Sequence, residues 1–164
     1  MTPRLLACAL LLVVATPAMA QEAIYGDFGV ALGQPFDQRM AQGTAMLSGN
    51  VEAYRFQPSY PLYLFRDYYA VVTPRSRLVA GIVARSVDFS SMPECVTHLN
   101  AVQGFLGRYG LPQVAAQSDR EVMVQIDQGN RSVYLRCNRA DHIRMELNYA
   151  DYQMLQLRAQ EAGK

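Results

Sequence analysis

Cysteine and histidine offer the most specific chemistry in this 164-residue chain, which contains three cysteines and two histidines. The histidines, His98 and His142, lie far apart, whereas a zinc site needs three or four ligands that converge on one point. Gly-x-Ser-x-Gly and His-Glu-x-x-His motifs do not occur in the sequence, nor does a phosphate-binding glycine loop. We therefore expect neither a metal ion nor a cofactor.

Cys95 and Cys137 predict one structural disulfide. Cys95 shares a helical stripe with Leu99 and Leu106, whose spacing follows the helical period. Cys137 lies in a strand-like run whose alternate residues are apolar, so both sulfurs should point into the same core. In an oxidising compartment an isolated pair of this kind usually forms a bridge. A redox pair would lie closer in sequence, as in Cys-x-x-Cys.

Aromatic residues concentrate between Tyr54 and Tyr69, where prolines and arginines separate them. Tyrosine on a stiffened segment offers a large amphipathic contact area at a small entropic cost, which favours recognition of a protein or a glycan. Strands also use aromatic residues to fill a core, and the sequence leaves both interpretations open. The candidate binding residues in this segment are Tyr60, Tyr63, Arg66 and Tyr68.

A second candidate surface lies on the outward face of the last strands, where Tyr134, Arg136 and Arg144 alternate with apolar residues. Such a face could dock a partner protein, whereas cross-strand pairing of arginine with Glu146 would explain the same residues without any partner. Acidic residues are scattered along the chain, so a hydrolase with a dispersed acidic pair remains a third-ranked alternative.

The N-terminus predicts a cleaved signal peptide over residues 1–20. Arg4 supplies a short positive region, Leu5–Ala15 is apolar, and Ala18-Met19-Ala20 is a small-x-small cleavage site. Cleavage after Ala20 would leave residues 21–164 as one exported domain, periplasmic or secreted. The apolar run is shorter than the roughly twenty residues that span a bilayer, and we expect no transmembrane segment in the mature chain.

The elements that position these residues are predicted as separate strands and helices. Ser91-Met92-Pro93-Glu94 is a capping box that begins a main helix over about 91–109, which Gly110 ends. Asp151 caps a C-terminal helix. The predicted fold is therefore α+β, an antiparallel sheet with both helices packed on one face. Predicted strands cover 51–56, 68–73, 78–87, 122–127, 131–137 and 143–149, with a brief helix within 34–43 and a polar loop through 118–120.

The run Gly29-Val30-Ala31-Leu32-Gly33-Gln34-Pro35 resembles the opening of several small envelope domains, including outer-membrane assembly lipoproteins of the SmpA type. The resemblance covers only this short glycine–proline segment. We also expect no lipid anchor of the kind that those lipoproteins carry, so nothing about fold or function is transferred from them.

Composition narrows the function that these patterns allow. The chain is 51% hydrophobic and 18% charged, with a formal net charge of +1, which suits one globular domain and argues against a nucleic-acid partner. Without a catalytic motif, the favoured function is a non-enzymatic binding protein that contacts another envelope protein as an inhibitor, immunity protein or accessory factor. The alternative is a module that binds a small ligand or a glycan.

Overall fold

The computed structural model describes residues 21–47 and 51–163. The predicted signal peptide, residues 1–20, lies outside the described residues. The described chain forms ten strands and two α-helices. The strands are β1 (Gly26–Asp27), β2 (Val30–Ala31), β3 (Ala41–Leu47), β4 (Val51–Phe56), β5 (Phe65–Val72), β6 (Val79–Phe89), β7 (Gln113–Gln117), β8 (Glu121–Gln128), β9 (Arg131–Arg139) and β10 (Ile143–Asp151); the helices are α1 (Met92–Leu106) and α2 (Tyr152–Ala162).

Eight of these strands form one antiparallel sheet in the order β3-β4-β5-β6-β10-β9-β8-β7. Strand β6 lies in the middle and is apolar on both faces, as expected for a strand that is covered on both sides. Strands β1 and β2 pair separately as a short hairpin. The sequence prediction of an α+β fold with an antiparallel sheet is confirmed.

Both ends of helix α1 are set by the residues that flank it. The Ser91 hydroxyl accepts a hydrogen bond from the Glu94 backbone N–H, while the Glu94 carboxylate accepts from the Ser90 backbone N–H, one residue before the predicted partner. A 3₁₀ turn (Gly107–Tyr109) follows the helix, and Gly110 leaves it at a φ of 142°. The helix packs through Cys95 and Leu99, and the predicted disulfide to Cys137 is present, with a Cα–Cα distance of 6.0 Å.

Helix α2 packs on the opposite face of the sheet from α1, and the prediction that both helices share one face is wrong in this respect. Side chains alternate between faces along a strand. Tyr68 therefore belongs to the large core under α1, while its neighbour Tyr69 joins a second, smaller core. Met154 and Leu155 of α2 pack against that second core. The C-terminal helix thus covers part of a face that the sequence alone leaves unassigned.

Two edge strands differ from the sequence predictions. The segment expected to form a brief helix makes only a 3₁₀ turn (Gln38–Met40) and then strand β3, in which Gly43 has a φ of 144°. Strand β7 precedes the predicted polar loop. Edge strands are poorly marked in sequence because they bury few side chains, so their apolar alternation is weak.

Candidate functional site

The residues predicted from the aromatic segment do not form one surface. Tyr68 is 2% exposed and packs in the core, where its hydroxyl accepts a hydrogen bond from the Leu62 N–H at 2.8 Å. Tyr63 is 99% exposed, and Arg66 is exposed as well. Tyr60 is half exposed, but its hydroxyl donates to the buried Asp27 carboxylate. Of these four residues, Tyr63 and Arg66 are therefore the ones exposed to solvent without a tie to the core.

The second predicted set shares one face of the sheet. In the pairing of β9 with β10, Arg136 lies opposite Glu146, Tyr134 opposite Asn148, and Arg144 opposite Asn138. These residues alternate with the core residues under α1, so they line the other face, beside the area that α2 covers. Backbone pairing thus brings Tyr134, Arg136 and Arg144 together on one surface.

Glu146 is the centre of this surface. Its carboxylate is buried between two arginines from neighbouring strands. Arg85 Nε donates to Oε1 at 2.7 Å, and Arg136 donates to Oε2 from Nε at 2.8 Å and from Nη2 at 2.7 Å. Burial would raise the pKa of Glu146, but the two guanidinium charges outweigh it and hold that pKa below its ordinary value. Glu146 therefore stays ionised and fixes both arginines.

Sequence reasoning missed Arg85 as a site residue. A signal for it was present, because Arg85 is the one charged residue in the predicted strand 78–87, which is otherwise mostly apolar and was expected to be central. A charge in a central strand must be paired, since burial of an unpaired charge costs several kcal/mol. The partner lies 61 positions away, however, and it is identified as Glu146 only because β6 and β10 pair in the sheet.

A second ion pair forms the rim. Arg144 Nε lies 2.5 Å from one oxygen of Asp88, and His142 Nδ1 lies 3.0 Å from the other. The Arg144 guanidinium lowers the pKa of Asp88 through their hydrogen bond. All of these side chains are more than a third exposed, so this pair contributes little to stability. It is therefore available to an approaching molecule.

Glu146 with its two arginines forms the floor of a cleft of about 280 Å³, and Arg144 and His142 line its rim. We call this cleft the arginine cleft. Met46 and Leu47 close one side. The polar lining consists of Arg85, Arg136, Asn138, Asp141, His142, Arg144 and Glu146. Guanidinium groups are strong donors to carboxylates and phosphates, so the cleft is built to bind polar or anionic groups.

Comparison with known proteins finds no matching family model, no similar curated protein and no similar solved structure. Within residues 21–47 and 51–163, no three His, Cys, Asp or Glu side chains are grouped as metal ligands. In the same ranges no helix has both the length and the apolar character needed to cross a membrane. The geometry of the cleft therefore carries the functional argument.

A separate polar cluster surrounds Asp27, whose side chain is 1% exposed. Its carboxylate accepts hydrogen bonds from the hydroxyls of Tyr60 and Tyr149, from the Arg108 guanidinium and from the Phe28 N–H. Burial, the neighbouring tyrosine and the Asp27 charge raise the pKa of Tyr149 far above its ordinary value. The cluster ties the N-terminal segment to the core, although Arg108 Nε is buried without a hydrogen-bond partner among the described residues.

Proposed function

We propose that this protein is a non-enzymatic binding protein of a bacterial envelope that contacts another envelope protein through the arginine cleft, as an inhibitor, immunity protein or accessory factor. The observation that carries the proposal is the convergence of Arg85, Arg136 and Arg144 around one cleft. They come from three adjacent strands of a rigid sheet. Arginine is enriched among the residues that contribute most to protein–protein binding.

Two further features support the proposal. The Cys95–Cys137 disulfide is of the kind that forms in oxidising compartments, which agrees with the predicted export. Glu146, the buried acid of the cleft, is ionised and has both oxygens bound by arginine, which suits it to holding side chains in place rather than to donating a proton. Binding by contact requires such a preorganised surface.

The exposed loop before β5 favours the alternative of a small-ligand or glycan binder. Tyr63 is 99% exposed, and an aromatic ring in solvent is a stacking platform for a sugar. Tyr68, another candidate of this segment, faces the core instead and cannot add to that platform. We therefore rank this surface second.

A pull-down of partner proteins from envelope extract, with the purified protein as bait, compares the two surfaces directly. The cleft variant is His142→Ala/Arg144→Ala, because both side chains are exposed and their loss leaves the Glu146 cluster intact. The matched control is Tyr63→Ala/Arg66→Ala in the exposed loop. We expect a partner that binds the wild type and the control but is lost from the cleft variant. Loss from the loop variant alone, or no partner for the wild type, would contradict the proposal.

A further inference from the structure

The floor of the arginine cleft holds two guanidinium groups whose positions are fixed while part of their donors stay unused. Arg85 uses Nε for Glu146, and its two terminal nitrogens have no hydrogen-bond partner in the part of the chain that the structure describes. Arg136 uses Nε and Nη2 for Glu146, and its Nη1 lies 3.7 Å from Glu121 Oε1, beyond hydrogen-bond distance. Each arginine therefore keeps donors for another acceptor.

The surroundings hold both groups in place and partly out of water. The side chains of Arg85 and Arg136 are 18% and 24% exposed. The Arg85 guanidinium also lies over the Tyr69 ring, 5.4 Å from its centroid, which restricts the plane of the group. Charges interact more strongly where water is partly excluded, and a ligand then loses less free energy to the ordering of the side chains.

The charges on the floor are unbalanced. On the floor, two arginines face one carboxylate, Glu146, so one positive charge is in excess there. Asp141, the other carboxylate that lines the cleft, lies exposed in the turn between β9 and β10. Glu121 offsets it only weakly, because its side chain is 35% exposed and its contact with Arg136 is long. At the rim, Arg144 is already paired with Asp88. One bound anion would neutralise the floor.

We propose that Arg85 and Arg136 clamp a single oxyanion, a carboxylate or a phosphate, in the arginine cleft. Their unused nitrogens provide the paired donors that such groups accept in a bidentate manner. Glu146 is the positioning residue, since it orients both guanidinium groups. The inference rests on the proposed function only in taking the arginine cleft as the binding site. It names the chemical group that a partner would present there, which is an Asp or Glu side chain, a C-terminal carboxylate or a phosphate group.

The test is an NMR titration of the purified wild-type protein with inorganic phosphate and, separately, acetate, at constant ionic strength. Arginine Nε–Hε signals report on each guanidinium group. We expect saturable shifts at Arg85 and Arg136 and none at Arg39, an internal reference whose side chain is 90% exposed and paired with Asp37. Tighter binding of acetate identifies a carboxylate as the preferred group, and tighter binding of phosphate identifies a phosphate.

Two variants sharpen the titration. Arg85→Lys keeps the charge beside Glu146 but removes the planar fork, so the dissociation constant should rise by about tenfold or more, the equivalent of one lost charge-assisted hydrogen bond. Arg55→Lys, an exposed residue paired with Asp67, should leave it unchanged. Thermal melting confirms that both variants are folded.

Shifts that increase linearly and equally at Arg39 would overturn the clamp, as would unchanged affinity in folded Arg85→Lys. This test needs no partner, so its failure is distinct from failure of the proposed function. Partner capture through the cleft without saturable anion binding would overturn the clamp alone. Saturable binding without any partner would support the clamp and contradict the protein-docking proposal.

Discussion

Buried acids are the most consequential single residues in this structure. Asp27 and Glu146 are each surrounded by donors that come from distant parts of the chain, and both side chains are largely buried. A buried charge is tolerated only when its partners are in place, because the desolvation of the ion must be offset. These two residues therefore report on whether the surrounding elements are correctly packed.

Asp27→Asn should destabilise the fold. The neutral amide has one acceptor oxygen where the carboxylate has two, and it leaves the Arg108 charge with only the more distant and exposed Glu22 carboxylate. We expect the free energy of unfolding, measured by urea denaturation, to fall by about 1.5–3 kcal/mol, the range for hydrogen bonds to a charged group. Asp37→Asn, which removes the charge of an exposed pair with Arg39, is the control and should lower the urea midpoint far less. An equal effect of both substitutions would contradict the role of burial.

At the scale of elements, two attachments join the helices to the sheet in different ways. Helix α1 is held covalently, because Cys95 is bonded to Cys137 in β9. Helix α2 is held by Met154 and Leu155 and by Glu161, whose carboxylate accepts from the backbone N–H groups of Arg75 and Ser76. The disulfide stabilises the fold mainly by lowering the entropy of the unfolded chain, whereas the contacts of α2 stabilise the folded state directly.

Removal of the disulfide should therefore lower stability without changing the fold. Closing a loop of this length stabilises a protein by about 4 kcal/mol in the chain-entropy description. We expect Cys95→Ala/Cys137→Ala to lose about 2–4 kcal/mol in urea denaturation while circular dichroism keeps its native shape. Amide exchange should rise first in α1, since its covalent tie is lost. A uniform rise across the sheet with no change in α1 would count against this interpretation.

At the scale of the whole molecule, charge burial limits the pH range of stability from both sides. The pKa of Glu146 is lowered in the folded state, so the unfolded chain binds more protons as the pH falls below the ordinary value of 4.5. The pKa of Tyr149 is raised, so the unfolded chain releases more protons as the pH rises above the ordinary value of 10.0. Stability should decrease in both directions.

The urea midpoint measured from pH 2 to pH 11 checks this expectation. It should be level between about pH 5 and 9 and fall beyond both limits. Glu146→Gln should reduce the slope of the acid limb but not abolish it, since other carboxylates also have a lowered pKa in the folded state. Those carboxylates are Asp37, Asp88, Glu94 and Glu161. Tyr149→Phe should reduce the alkaline slope. A midpoint that does not change with pH would contradict both assignments.

The sequence by itself determined the features that depend on neighbours within a few positions. The capping residue Ser91 defined the start of helix α1, and Gly110 defined the end of the 3₁₀ turn that continues it, because a helix end is satisfied by adjacent side chains and glycine geometry. The disulfide was also predictable, because each cysteine lies on a local apolar stripe whose period shows which way it faces. The central position of β6 followed from its apolar character on both faces.

Only the tertiary structure decided which distant segments meet. Local alternation places Arg85 and Glu146 on one face of their strands, but it does not make β6 and β10 neighbours. The same alternation separates Tyr68 from Tyr69, yet which of the two faces lies under α1 depends on the order of the strands. Strand order is set by the combined burial of all elements, a long-range free energy that no short window of sequence contains.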